Sequence, residues 1–191
     1  MHYAVTPKDA PFLELWQEKT VHVLSGGFNI VNFASFAVLG KLPKGIPLSV
    51  DFKNHTATPV KGAVLNAALG ASDTTAQVKK NGLFAVGDFI GTSTKAVQIT
   101  AINTDNSAYN VITLSEAIGA VANGGVLFSA TEAGASKVLA VNALNYADVK
   151  FVPGVFACSA IIQAYEVNNS RLPYPLTTTQ ISQLGDRFFV Y

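Results

Sequence analysis

The chain has one cysteine, Cys158, among 191 residues. A lone thiol excludes an internal disulfide and any metal cage built on cysteine. Histidine is nearly as scarce. His2, His22 and His55 lie far apart in sequence and form no ligand pair. Charge is also low: only 13% of residues are Asp, Glu, Lys or Arg, against about 25% in a typical soluble domain. The 13 basic and 12 acidic residues leave a net charge of +1. That balance supplies no basic stripe for nucleic acid and no polybasic patch for an anionic membrane. Long apolar runs are missing too. The uncharged stretch 20–40 is interrupted by His22, Ser25, Gly26, Gly27, Asn29, Asn32 and Ser35, so it makes a poor membrane span. The opening residues, MHYAVTPKDAPFLELWQEK, show no basic region followed by an apolar core. The expectation is a non-membrane protein made in a reducing compartment.

Helical periodicity is sparse. Pro11-Phe12-Leu13-Glu14-Leu15-Trp16 has it briefly, too briefly to stand alone. The segment 178–184 is the better candidate. Thr177 or Thr178 can cap it, Ile181 and Leu184 share a face, and Gly185 suits the left-handed position after its end. What fills the rest is strand-like. Hydrophobic residues make up 49% of the chain, in short runs broken by Gly, Pro, Asn and Asp. Val21–Leu24 and Phe28–Asn32 flank Gly26-Gly27, a hairpin signal. Pro43-Lys44-Gly45 marks a turn, and Pro43 and Pro47 place that segment at a sheet edge or bend. Leu48, Val50 and Phe52 then alternate onto one face.

Further strands are expected at 75–78, 96–102, 111–114 and 126–128, with a bend over 82–90 and a polar tip at Thr104-Asp105-Asn106-Ser107. Such spacing indicates a small barrel or sandwich. Strand-like runs recur at 138–141, 147–152 and 155–167. The run Val155–Tyr165 has no charge, which predicts burial on both faces or cover by a neighbouring chain. The apolar end Arg187-Phe188-Phe189-Val190-Tyr191 is expected to be tied into a sheet. Small-residue stretches bound the block 63–130 on both sides. The expected organisation is a discontinuous outer β domain, 1–62 plus 131–191, carrying an inserted small β-barrel at 63–130. One continuous β protein is the alternative.

No catalytic constellation stands out. Gly70-Ala71-Ser72-Asp73 and Asn123-Gly124-Gly125 lack the Lys-Ser/Thr and helix of a phosphate loop, and read as turns. Ser25, Ser129, Ser159 and Ser170 lack the G-x-S-x-G context of a nucleophile elbow. Asp73, Asp88, Asp105, Glu116, Asp148 and Asp186 show no paired spacing for acid–base work or a metal. Asp88 and Asp105 read as turn residues. Cys158 has no adjacent base and reads as a small buried hydrophobe. The sequon Asn54-His55-Thr56 has no secretory leader to make it meaningful. No enzyme activity, cofactor or metal is expected. Phe12, Leu15 and Trp16 carry two readings. They pack on their own domain, or they form an arm of about residues 1–20 that docks on another chain with Trp16 at its centre.

Three stretches carry a family resemblance. Leu42-Pro43-Lys44-Gly45-Ile46-Pro47-Leu48, Lys137-Val138-Leu139-Ala140-Val141-Asn142-Ala143-Leu144, and the run through Leu172-Pro173-Tyr174-Pro175 to Ile181-Ser182-Gln183-Leu184 resemble phage head decoration proteins of the lambda type. Those have a β-tulip fold. Phe84–Ile90, Ile99–Asn103 and Val111–Leu114 are similar to a small barrel inserted in phage head fibre or decoration proteins. The resemblance implies a mainly β protein with one short C-terminal helix. It implies a homotrimer on the outer capsid surface, assembled in the bacterial host cytoplasm, whose N-terminal arm contacts the major capsid protein. Block 63–130 is absent from the minimal decoration fold. Its loop Thr104–Asn110 faces away from the scaffold, which suits a glycan- or host-surface-binding module as a second reading.

Overall fold

A computed structural model describes residues 14–81, 83–135, 137–151 and 157–191. In chain order the strands are β1 (His22–Ile30), β2 (Lys41–Leu42), β3 (Pro47–Asp51), β4 (Thr56–Pro59), β5 (Gly62–Val64), β6 (Thr75–Lys79) and β7 (Phe89–Gly91). Then come β8 (Ala96–Asn103), β9 (Tyr109–Leu114), β10 (Val126–Ala130), β11 (Ala143–Asn145), β12 (Val149–Lys150) and β13 (Ala157–Val167). The helix α1 (Thr178–Leu184) and β14 (Phe188–Val190) end the chain. The protein is mainly β with one short α-helix among the described residues, as its turn-rich composition implies.

Five strands close on themselves. The order β1-β4-β3-β11-β13 returns to its start because β13 also pairs with β1. Closure removes the free edges that an open sheet would present. All neighbours are antiparallel except β1 and β4. β14 adds a short parallel strand to β13. A second sheet runs β5-β10-β7-β8-β9-β6, and the Leu65–Val78 bridge joins its two ends.

Each sheet encloses its own hydrophobic core. The first holds Trp16, Phe28, Phe36, Leu48, Leu144, Ile161 and Leu184, among others. The second holds Leu65, Val78, Ile90, Ile99, Ile112 and Leu127. Strand β10 serves both. Val126 and Phe128 face the first core, while Leu127 faces the second. That is why Val126-Leu127-Phe128-Ser129 is buried without alternation. The crossing points are stitched together. Ser129 N–H donates to the Lys61 carbonyl at 2.9 Å, and Lys61 N–H donates to Ser129 Oγ at 3.0 Å. Tyr174 donates its hydroxyl to the Val60 carbonyl, and its ring meets Phe128 edge-on at 5.8 Å.

The helix forms where the sequence places it. Thr177 accepts from Gln180 N–H, and the Gln180 side chain accepts from Thr177 N–H, a complete capping box. Gly185 (φ +69°) follows the last helical residue. Pro43-Lys44-Gly45 turns as expected, with Gly45 at φ +80° and Ile46 N–H reaching the Pro43 carbonyl.

Two expectations need correction, and a third is met in part. Gly26-Gly27 does not turn a hairpin. It lies inside the single strand β1, where Leu24 pairs with Ala160 and Phe28 with Cys158, so the intervening residues form a bulge. A positive-φ glycine suits a bulge as well as a hairpin, and pairing with β13 selects the bulge. The burial expected of Val155–Tyr165 falls partly outside the described residues. Over 157–165 Cys158, Ala160, Ile161 and Ala164 are buried, Ala160 and Ile161 in succession, while Ala157 and Tyr165 are exposed. Phe52 leaves the face of Leu48 and Val50, because β3 ends at Asp51 and Phe52 lies in the following turn.

Gly62 shows how tight the shared wall is. A Cβ built there would lie 2.5 Å from the Tyr174 ring. Gly62→Ala is expected to lower unfolding free energy by about 1–3 kcal/mol through overpacking. Urea denaturation checks this; an unchanged midpoint would show that the ring can yield.

Candidate interaction surfaces

The first candidate residues lie at the N-terminal end of the described chain. Trp16 is 2% exposed and belongs to the core of its own barrel, and Leu15 packs against that core. Phe12 lies outside the described residues. Residues 14–16 are not helical; a single turn of 3₁₀ helix follows at Glu18–Thr20. The structure therefore places the Trp16 ring inward, within the core of its own barrel. Truncating a buried aromatic ring costs about 3–5 kcal/mol, so cohesion of its own barrel is what Trp16 supplies.

Side chains not singled out in the sequence hold it there. Trp16 Nε1 donates to Glu18 Oε2 at 2.7 Å, and the Tyr146 hydroxyl donates to Glu18 Oε1 at 2.8 Å. Lys44 Nζ lies 4.5 Å from the Trp16 ring centre and 5.8 Å from that of Tyr146. A cation between two aromatic faces is attracted by both. Asp148 completes the group, accepting from Lys44 N–H at 2.8 Å and Lys41 Nζ at 2.6 Å. Lys41 and Lys44 hold its carboxyl below the ordinary range, the Lys41 hydrogen bond contributing most. Glu18 holds the Tyr146 hydroxyl above the ordinary tyrosine range, chiefly by accepting its hydrogen bond. Glu18 and Tyr146 are 128 residues apart, so no local motif announces them.

A second feature sits where the two sheets meet. A cleft of about 220 Å³ is lined by Asn32, Ser35, Thr58, Lys61, Asp88 and Ser129, among others. Lys61 Nζ pairs with Asp88 Oδ2 at 2.5 Å, with the lysine side chain only 12% exposed. Asp88 also accepts from Ala85 N–H at 2.9 Å. It is thus the turn residue expected of it, and in addition a strut between the sheets. The ion pair is satisfied internally, which leaves the cleft without a free charge. Among the described residues no three His, Cys, Asp or Glu side chains gather as metal ligands would. Cys158 is buried, and burial pushes its thiol up to about 11.

The third feature is the distribution of outward-facing side chains. Val31, Val38, Leu39, Phe52, Tyr165, Phe189 and Tyr191 are large, apolar or aromatic, and exposed. All belong to the segments outside 63–130. Within that block Val86 is the exposed large hydrophobe among the described residues. The outer face of its sheet instead shows Thr75, Gln77, Lys79, Gln98, Thr100 and Asn103. The two bodies therefore differ in one respect: the outer segments expose large apolar and aromatic side chains among their charges, and the block 63–130 exposes mainly polar ones. No described helix is long and apolar enough to cross a membrane.

Two outcomes follow. Glu18→Gln is expected to lower the ionisation range of one tyrosine toward its ordinary value in ultraviolet titration. The raised folded value means the Glu18–Tyr146 contribution is present below the ordinary tyrosine range and lost as pH rises through the folded one. An unshifted titration would dismiss the contact. Cys158 is expected to resist thiol reagents at mildly alkaline pH in the folded protein and to react promptly in denaturant. Prompt native labelling would contradict its burial. No protein-family model, curated protein or solved structure matches this chain, so its functional reading rests on side-chain placement.

Proposed function

We propose that this chain is a structural protein of a virion: a capsid decoration or head fibre protein that sits as a homotrimer on the outer surface of a phage or prophage shell. Its outer segments would form a decoration domain of the β-tulip type, adjacent to the major capsid protein. Block 63–130 would be an inserted body pointing away from the shell. One observation carries the reading. Exposed apolar and aromatic side chains concentrate on the outer segments, whereas block 63–130 shows water a polar face. Interface centres are enriched in aromatics, so the exposed rings of the outer segments suit contact and the inserted block suits display. Binding to the assembled lattice, and not to loose subunits, would stabilise the shell by mass action. At a free concentration of about a hundred times Kd that is about 2.7 kcal/mol per site.

A second reading is favoured by the composition of the displayed face. Thr75, Gln77, Gln98, Thr100 and Asn103 offer neutral donors and acceptors, and Tyr109 lies on the same three-stranded face. That chemistry suits a glycan or another host-surface group. In both readings the chain acts by binding, without catalysis or a cofactor.

Immunogold labelling of phage particles from the host encoding this chain tests the first reading. Label on the exterior of the shell is expected, together with greater heat resistance than particles lacking the chain. Purified particles free of the chain would refute it.

A further inference from the structure

A cavity of about 170 Å³ lies between α1 and the connection from β7 to β8. Phe128, Val138 and Leu139 give it apolar walls. Gln180 and Gln183 also line it, three residues apart and so on the same side of α1. The two glutamines are held alike. Gln180 Oε1 accepts from Thr177 N–H at 3.0 Å and from the Thr177 hydroxyl at 3.1 Å. Gln183 Oε1 accepts from Val141 N–H at 2.9 Å. A backbone N–H can only donate, so neither amide can be turned over. Each glutamine therefore keeps its NH₂ for another partner. Gln180 is only 3% exposed, and its Nε2 is buried with no partner among the described residues. Gln183 Nε2 has none among them either. Folded proteins rarely leave a buried donor unmatched, because its lost hydration is not replaced.

The lining says what fits. It donates at two neighbouring points, so the ligand brings an acceptor oxygen. None of the described residues that line the cavity is charged, so nothing there would offset the desolvation of an anion, and the ligand is neutral. The apolar walls call for a short alkyl group beside that oxygen. Sites for drug-sized molecules run about 300–1,000 Å³, so this cavity takes one substituent of a larger molecule. A water molecule would match the donors but not the walls. An acetamido group matches both, its carbonyl toward the amide nitrogens and its methyl toward Phe128, Val138 and Leu139. Ser93 and Thr179 also line the cavity, and both are exposed. Their hydroxyls can accept the acetamido N–H and meet the hydroxyls of an attached sugar ring.

We propose that this cavity binds the acetamido group of an N-acetylated sugar, with Gln180 and Gln183 donating to its carbonyl. That the sugar belongs to a host surface rests on the second reading above; the cavity itself does not. The site is distinct from the polar face of β6, β8 and β9.

Saturation-transfer NMR and calorimetry of the full chain test it, with methyl N-acetyl-β-glucosaminide, methyl β-glucoside and an N-acetyl-lysine peptide as probes. Saturation is expected at the acetyl methyl of the first sugar. The glucoside, which lacks the group, should bind at least about tenfold more weakly. Gln180→Glu keeps the acceptor that the capping box requires and removes the donor. Gln183→Glu does the same for the Val141 N–H at an exposed position, so it reads the site even if the first variant folds poorly. Each should weaken binding at least about tenfold, and Gln183→Glu should leave the circular dichroism spectrum unchanged. No transfer to the acetyl methyl at millimolar sugar would overturn the proposal. Equal binding of the glucoside, or a peptide that binds where the sugar does not, would overturn it too. Sugar binding that both variants leave intact would remove the cavity and spare the host-surface reading, with the sugar on another face.

Discussion

The two hydrophobic cores share a wall, and the rest of the molecule depends on it. Strand β10 gives Phe128 to one core and Leu127 to the other. Full burial of such side chains contributes about 1.5–3 kcal/mol each. Neither core can therefore lose the strand without exposing apolar surface. Phe84 extends the same logic, packing against both cores from the loop before β7. Lys61 reinforces the seam, reaching Asp88 across it while lying 4.9 Å from the Phe84 ring centre. Two bodies joined in this way hold a fixed orientation, unlike domains joined by a flexible linker.

A fixed orientation gives meaning to the difference between their surfaces. Low charge alone allowed two explanations: a polar but neutral exterior, or surfaces hidden against other chains. Neutral polar side chains and exposed apolar ones both occur here, in different places. The sheet of β6, β8 and β9 wears threonine, glutamine and asparagine. The outer segments wear valine, leucine and aromatic rings. The proposed function uses this difference, with attachment through the exposed rings of the outer segments and display of the other sheet.

Legibility in the sequence followed the range of the interactions. Helix α1 and the Pro43–Gly45 turn were readable because their stabilising contacts span only three or four residues. Strands β8 and β9 were readable from alternation, since one face of each meets a core. Gly26-Gly27 was misread, because glycine permits hairpin and bulge alike and β13, far along the chain, decides. Closure of the first barrel was invisible for the same reason, resting on pairing between β1 and β13. The Pro-flanked context of Trp16 left open whether it packs on its own domain or docks on another chain. Its inward placement depends on a core assembled from distant segments, and on Glu18, Lys44 and Tyr146, which no spacing rule connects. Phe189 and Tyr191 read as a strand tied into a sheet. They are tied by backbone, yet their rings remain outside.

Hydrogen exchange of the chain, free and mixed with the capsid particle proposed to carry it, tests most directly the proposal that the outer segments attach and the inserted block is displayed. Backbone amides around 31–39 and along β13 and β14 should gain protection on mounting, while those of β6, β8 and β9 exchange as before. Protection gained by β6, β8 and β9, with the outer segments unaltered, would reverse the polarity described here and contradict the account.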